Sequence, residues 1–535
     1  MRFYTSLYFF VAALYLLTAA GRIGLSDGVA MLNVAQSIVR DGSLSSEPCD
    51  HNVSDPTNGS AIGCVPGAHG GRYAGFGLLP SLLVVPAILG AKLLSGMVHA
   101  DPLVISKAAV SIFTLMLAPL VCVTLAAWVL KLGFGRRTAV ISAFILAFAS
   151  PFWHFSVKGF YSEPYFTLAL LVAAYALSSS RRGVACAAAG LAFGAACATR
   201  LNGVILFPAF ILSIAFYVRA HKPSIMQFVR ESAYFSAAFS VFALSIAAAN
   251  YVRFGSPLKT GYHLAFPSAS AMLSTPMLWG LFKSLFSGEF GLVVFAPWVI
   301  FAFIFFPWFA REHLPEALLS GTIFSIYLLF FSKFSHLSGG WVAGPRYLIP
   351  TLPFLVVAMA PVIEYLQQPS VLKQRPWALA AVLMVVSVGT GLLIQSVGTM
   401  FPEERYYTLQ YFYENKSEKP WWFGSVPFAS IDFLSHVATP KQPLPRRASS
   451  DGSDQLSIER DKERAFANSA TASSEDGFLS AFPNPENLTV PNLMLVKMKV
   501  LGFPRLFLFA YLTLIVFMGA LGLLGLRKSA VQVQP

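Results

Sequence analysis

Long apolar runs separated by short polar stretches make up most of this chain. Twelve of them approach or reach the roughly 20 residues that a helix needs to cross a hydrocarbon core, with tilt and snorkelling relaxing the limit. They are residues 3–20, 103–130, 138–152, 161–178, 184–199, 203–218, 232–250, 290–309, 315–331, 347–366, 377–397 and 504–526. A further run, 77–98, is apolar enough to cross, but Pro80 and Pro86 interrupt it. Each proline removes a helix hydrogen bond.

The cations arbitrate, because cytoplasmic loops gather Lys and Arg. Suppose 77–98 lies on or dips into the outer face. Then Lys131 with Arg136 and Arg137, Arg181 with Arg182, Arg219 with Lys222 and Arg230, Arg311, Lys373 with Arg375, and Arg527 with Lys528 all fall inside. If that run crosses, nearly all of them move outside. The pattern therefore predicts an all-α polytopic membrane protein with about 12 transmembrane helices (11–13), both termini cytoplasmic, and outer-face juxtamembrane helices in the first loop. Residues 1–397 form the membrane module, with a first outer loop at 21–76; 398–503 form an extracytoplasmic region; 504–535 supply the last helix and a cytoplasmic tail. Within 398–503, which hold 13 of the 25 acidic residues, the Ser-, Pro- and charge-rich stretch 440–475 reads as disordered. The other polar stretches outside are 153–160, 251–289 and 332–346.

Composition agrees. Of 535 residues, 56% are hydrophobic and only 12% charged, against about 25% charged in soluble domains. A soluble, disordered or coiled-coil chain is excluded. The formal charge of +13 would suggest nucleic acid in a soluble protein. Here the cations flank apolar runs, where they set topology and meet phosphates at the membrane surface. No nucleic-acid partner is expected.

Cys122, Cys186 and Cys197 lie inside apolar runs and read as packing residues. Cys49 and Cys64 flank a polar loop that also carries the sequons at Asn52 and Asn58. A disulfide there requires an oxidising compartment. The run 3–20 follows a single Arg2 and reads as an uncleaved first helix rather than a signal peptide.

The chemistry-bearing residues cluster on the outer side. Ser26-Asp27-Gly28 opens a helix that ends at Arg40-Asp41-Gly42, with Met31, Val34 and Ile38 on one face, as in a helix lying on a membrane. Asp27 suits either an N-cap or a base at the membrane boundary. The glycine-dense stretch from His69 to Pro80 holds Arg72 and Tyr73, and reads as an anion-binding loop or a flexible one with interfacial anchors. Glu163 begins the fourth span, where a carboxylate favours the helix dipole but is also a functional candidate by its depth. Arg200 stands at an outer boundary, against the positive-inside trend. Two more stretches mix glycine, aromatics and cations: one with Arg253, Lys259, Tyr262 and His263, the other with His336, Trp341 and Arg346. Aromatics stack on sugar faces and Arg grips phosphate bidentately; both stretches also suit interfacial anchoring. No nucleotide-binding P-loop, zinc-protease HExxH or hydrolase GxSxG motif is present. Together the set suits a lipid-linked phosphate and an acceptor that must lose a proton. A transporter or flippase of a phosphate-bearing lipid or sugar competes, but it needs its site near mid-membrane.

The order of these blocks resembles the GT-C class of integral-membrane glycosyltransferases, closest to the branch of protein O-mannosyltransferases and the lipid A aminoarabinose transferase. The matching pieces are Ser26-Asp27-Gly28, Gly71-Arg72-Tyr73-Ala74-Gly75-Phe76-Gly77, Gly133-Phe134-Gly135-Arg136-Arg137, Ser162-Glu163-Pro164, Thr199-Arg200, Phe254-Gly255-Ser256-Pro257 and Gly344-Pro345-Arg346-Tyr347, in order over residues 1–365. The resemblance implies a GT-C-like fold and a polyprenyl-phosphate-linked sugar as donor. It implies transfer to a glycan, lipid or protein acceptor at the outer face of the cell membrane. It places Asp27 as catalytic base and makes Glu163, a position where relatives usually carry Asp, a second catalytic residue that orients acceptor or sugar or binds a cation. Arg72, Arg200 and Arg346 become donor-phosphate ligands; by their own chemistry Tyr73, Tyr262, His263, His336 and Trp341 are the candidate substrate contacts. No cofactor is expected; some members of the class use a divalent metal, and none is expected here.

Overall fold

The computed structural model describes residues 2–21, 23, 26–46, 63–68, 70–98, 102–179, 181–221, 224–266, 268–288, 290–335, 337, 344–400, 494 and 505–531. All twelve expected runs are helical. The chain begins with α1 (Arg2–Leu17) and α2 (Ser26–Asp41). An antiparallel hairpin follows, β1 (Val65–Pro66) against β2 (Arg72–Tyr73), with Val65 opposite Tyr73. Next come α3 (Leu79–Leu83), α4 (Val85–Val98), α5 (Pro102–Lys131), α6 (Arg136–Phe148), α7 (Phe152–Val157), α8 (Glu163–Leu177) and α9 (Arg182–Thr199). A 3-10 turn, Leu201–Leu206, joins α9 to α10 (Phe207–His221), and α11 (Ile225–Phe254) follows. Four short helices, α12 (Gly261–Ala265), α13 (Ala269–Met272), α14 (Met277–Phe286) and α15 (Leu292–Phe295), precede α16 (Val299–Glu312) and α17 (Leu314–Ser332). A second 3-10 turn, Arg346–Thr351, leads into α18 (Leu352–Ala358), α19 (Ala360–Leu366), α20 (Pro369–Leu372) and α21 (Arg375–Met400); α22 (Arg505–Val531) comes last.

The protein is therefore an all-α, multi-pass membrane protein. Among the described residues seven helices are long and apolar enough to cross a membrane, or eight if α18 and α19, bent by 43°, count as one. The sequence pattern divides the apolar chain into twelve segments; α1 and α8 have only 16 and 15 residues, and proline accounts for other breaks. Pro297 separates α15 from α16, Ser150-Pro151 ends α6, and Pro353 and Pro361, at the starts of α18 and α19, break the run 347–366 into three pieces. The run 77–98 is divided at Val84. Its longer part, α4, has 14 residues and a length of about 21 Å, short of a hydrocarbon core.

Helix α2 differs from the expectation of a helix lying on lipid. Met31 and Val34 are buried at 2% and 1% exposure. They pack under α3, α4 and the hairpin, and Ser81 Oγ donates to the Met31 carbonyl at 2.8 Å. The apolar face predicted for the bilayer is covered by protein instead. Cys64 is disulfide-bonded; Cys49, its expected partner, lies outside the described residues. Cys122, Cys186 and Cys197 are free and buried, as expected of packing residues.

Small residues let the helices approach closely. A Cβ at Gly190 would strike the Phe235 carbonyl, and one at Gly194 would press on the Phe242 side chain, so α9 and α11 approach backbone to backbone at the first and backbone to side chain at the second. Likewise Gly522 lies against the Phe10 backbone where α22 packs on α1, and Tyr511 Oη donates to the Leu16 carbonyl at 2.6 Å. Association inside a bilayer relies on this kind of packing, because lipid tails are as apolar as leucine. Gly190→Val should therefore lower the unfolding midpoint in detergent by the equivalent of roughly 1–3 kcal/mol, the cost of overpacking. Gly96→Val, at a site with nothing within 4 Å, should leave the midpoint unchanged.

Candidate active site

Four chain breaks deliver four charged side chains to one end of the bundle. Asp27 lies in the first turn of α2. Glu163 is the first residue of α8, with Pro164 behind it where a helix needs no N–H. Arg200 follows the last residue of α9 in extended backbone, φ −139° and ψ 113°. Arg346 opens the 3-10 turn before α18, just after Gly344, whose φ of +102° belongs to the region that glycine alone visits freely.

These residues form one ion-pair chain. Arg346 donates through Nη2 to Asp27 Oδ2 and through Nε to Glu163 Oε1, both at 2.6 Å. Arg200 Nη1 donates to the same Glu163 oxygen at 2.8 Å. Side-chain exposure is 0% for Glu163, 7% for Arg346, 11% for Arg200 and 27% for Asp27. Two carboxylates face two guanidiniums, so the cluster is formally neutral, as burial demands. Burial works against the Arg200 charge, but Glu163 outweighs it and holds the guanidinium more firmly protonated than in water.

Aromatic rings wall the cluster. The Arg346 guanidinium lies 5.4 Å from the Tyr161 ring centroid, and that of Arg200 5.9 Å from Tyr347. Tyr347 stacks on Phe331 at 4.2 Å with planes 4° apart. Tyr262 lies within electrostatic reach of Arg200, Asp27, Arg346 and Glu163; burial pushes its phenol above the ordinary value, against the pull of Arg200, so it stays a hydroxyl at neutral pH.

The other residues singled out in the sequence do not join the ion-pair chain. Arg72 sits on β2 with Nη1 3.9 Å from Cys64 Sγ. Tyr73 packs edge-on against Phe254 at 6.2 Å. His263 accepts the Thr260 backbone N–H at 3.3 Å and thereby caps α12. Arg253 is a clamp: Nη1 donates to the carbonyls of Ala74 at 2.9 Å and Phe76 at 3.2 Å, tying the glycine-dense loop to the end of α11. Gly77 in that loop lies so close to the Ala198 and Thr199 carbonyls that no Cβ fits. His69, His336 and Trp341 lie outside the described residues. Sequence reasoning passed over Tyr161 and Tyr327, single polar handles in apolar surroundings.

Among the described residues no group of three or more His, Cys, Asp or Glu side chains converges as metal ligands do. The two carboxylates that do approach each other already share Arg346, so a bridging divalent ion would first have to displace that guanidinium.

No protein-family model and no curated protein matches the chain. Among solved structures, the oligosaccharyltransferase of Archaeoglobus fulgidus in its apo form is similar at a TM-score of 0.47 and 14% identity, over 84% of this chain and 61% of that one. The archaeal oligosaccharyltransferase AglB from the same organism, in complex with an inhibitory peptide and a dolichol-phosphate, gives 0.47 and 13%, with the same coverage. This chain thus spans about three fifths of the length of those proteins. Likeness at this level assigns no residue and no substrate to the present chain.

The ion pairs carry a stability prediction. Glu163→Gln keeps the shape but leaves two guanidiniums without their shared charge, a loss of roughly 3–5 kcal/mol for a broken buried pair. It should appear as a lower unfolding midpoint in detergent. Arg40→Gln removes a pair to Asp41 that is about half exposed on both sides, and should cost at most about 1 kcal/mol.

Proposed function

We propose that the chain is a membrane glycosyltransferase of GT-C-like architecture, moving a sugar from a polyprenyl-phosphate-linked donor to an acceptor hydroxyl. The transfer takes place at the outer face of the cell membrane, inverts the anomeric centre and uses Asp27 as general base. One observation supports this above the others. Of the two carboxylates gripped by Arg346, Glu163 is wholly buried, whereas Asp27 keeps 27% of its side-chain surface open. Glu163 is enclosed among its cations; Asp27 can meet an incoming hydroxyl.

In this reading the acceptor O–H gives its proton to Asp27 while its oxygen forms the bond to the anomeric carbon. The bond from that carbon to the phosphate oxygen breaks with both electrons, and the polyprenyl phosphate departs. Arg200 donates one N–H to Glu163, and its other N–H groups have no protein acceptor among the described residues. They suit the phosphate oxygens as charge develops there. Arg346, shared between both carboxylates, aims the base, and Arg72 on the hairpin is the further cation offered to the donor. Tyr73, Tyr262 and His263, with His336 and Trp341 from the chain between α17 and Gly344, are the candidate contacts for sugar and acceptor. The branch of protein O-mannosyltransferases and aminoarabinose transferases is the one the order of the motifs resembles. Both termini then face the cytoplasm, and 398–503 lie outside.

General-base help is worth about 10²–10⁴-fold, so purified Asp27→Asn should lose at least the lower figure in turnover while still folding and inserting, with a smaller drop in unfolding midpoint than Glu163→Gln because Asp27 is the more exposed partner of Arg346. Release of free polyprenyl phosphate from a radiolabelled sugar donor is the readout, and it separates transfer from transport. Near-normal release by Asp27→Asn would remove the assignment. Because Arg346 supplies the cation between the carboxylates, turnover should persist in excess EDTA. Loss of turnover in EDTA, regained with Mg²⁺ or Mn²⁺, would place a metal there instead.

A further inference from the structure

Two buried polar atoms, on residues near Arg200 in space or in sequence, have no hydrogen-bond partner among the described residues. One is the Tyr327 hydroxyl on α17, on a residue 2% exposed. The other is Asn202 Oδ1, two residues beyond Arg200 on the 3-10 turn. Ring contacts place Tyr327 and the turn that carries Asn202 in one neighbourhood. Tyr327 stacks on Phe166 at 6.0 Å and meets Phe331 edge-on at 5.2 Å. Phe331 carries Tyr347, over whose ring Arg200 lies. Phe166 in turn packs so closely on Gly203 that a Cβ there would stand 2.7 Å from its ring. The Tyr327 hydroxyl also lies within electrostatic reach of Arg200, Tyr262 and Glu163.

Both atoms carry a desolvation cost that nothing in the described protein offsets. A buried serine in a helix, such as Ser142 or Ser320, can turn its hydroxyl onto the carbonyl four residues back. A phenol cannot reach its own backbone in this way, and an amide oxygen cannot donate to a carbonyl. Their complement must come from elsewhere.

We propose that Tyr327 and Asn202 form a subsite for the hydroxyl groups of the donor's sugar, next to the phosphate held by Arg200. This deepens the glycosyltransferase reading and rests on it. The hydrogen-bond chemistry separates sugar from phosphate. An amide oxygen accepts only, and an ionised phosphodiester offers acceptors only, so the two cannot satisfy each other. A sugar hydroxyl both donates and accepts, and so complements Asn202 Oδ1 and the Tyr327 hydroxyl alike. Tyr327 and Asn202 are accordingly specificity-determining residues of the donor site.

The test uses the full chain in lipid nanodiscs and two kinds of probe. One is bare polyprenyl monophosphate; the other is the same lipid carrying glucose, galactose, mannose or arabinose. Wild type should bind at least one glycosylated lipid more tightly than the bare lipid. Tyr327→Phe keeps the ring stack and should weaken that preferred probe about tenfold, the worth of one buried hydrogen bond, with bare-lipid affinity unchanged. Asn202→Ala should do the same, which keeps the proposal testable if either variant folds poorly. Unchanged affinity for every probe in both variants, as expected if buried water satisfies both atoms, overturns the proposal. Equal weakening for bare and glycosylated lipids overturns it too, by moving the contact to the phosphate. Failure of wild type to bind even the bare lipid overturns the donor reading itself, and this subsite with it.

Discussion

A carboxylate taken out of water inside a helical bundle must bring its countercharge with it. Glu163 has no exposed surface and shares one oxygen between Arg200 and Arg346. That requirement organises the neighbouring backbone. Neither arginine sits mid-helix. One occupies the extended residue between α9 and a 3-10 turn, the other the first position of the turn before α18. Helix ends are where backbone and side chain can be aimed together, and the starts of α2 and α8 also offer partial positive charge to Asp27 and Glu163. Gly344 and Gly77 hold the adjoining segments where a Cβ would be strained or would collide. The site thus depends on breaks in helices, and the breaks are encoded by proline and glycine.

Much of this can be read without a structure. All twelve apolar runs become helices, because an apolar run in a bilayer has little alternative to internal hydrogen bonding. The bent run at 77–98 announces its interruption through Pro80 and Pro86. The lengths are less legible, since hydropathy runs on through Pro297 and Pro361 while the helices stop. The faces are harder still: Met31 and Val34 look lipid-facing until α3 and α4 cover them.

The partners of charges are the least legible. Asp27 and Arg346 are 319 residues apart, and no spacing rule connects them. From sequence, Arg200 and Arg346 read as cations waiting for a phosphate. In the structure each meets a carboxylate at 2.6–2.8 Å, because a buried acid attracts the nearest guanidinium regardless of the ligand. Arg253 is taken by backbone carbonyls and His263 by a helix cap for the same reason. A sequence displays the inventory of donors and acceptors, while burial decides how they are spent.

The opposite end of the bundle shows why the cluster around Glu163 stands apart. There Arg182 pairs with Glu231 at 3.0 Å, and Tyr217 donates to Glu316 at 2.6 Å. Ser178 links Tyr217 to Trp128, and Gln227 donates to the second oxygen of Glu231. The length of α8, about 22 Å for its 15 residues, separates this network from Glu163. It is rich in charge, yet both Glu231 oxygens and the Tyr217 hydroxyl are satisfied by protein. Such a network holds helices together and has little left to offer a ligand. At the Glu163 end, by contrast, Asp27 keeps open surface, Arg200 uses one of its donors, and the Tyr327 hydroxyl and Asn202 Oδ1 have no partner among the described residues. Burial with full pairing marks structure; burial with hydrogen-bonding capacity left over marks the place where another molecule completes the set.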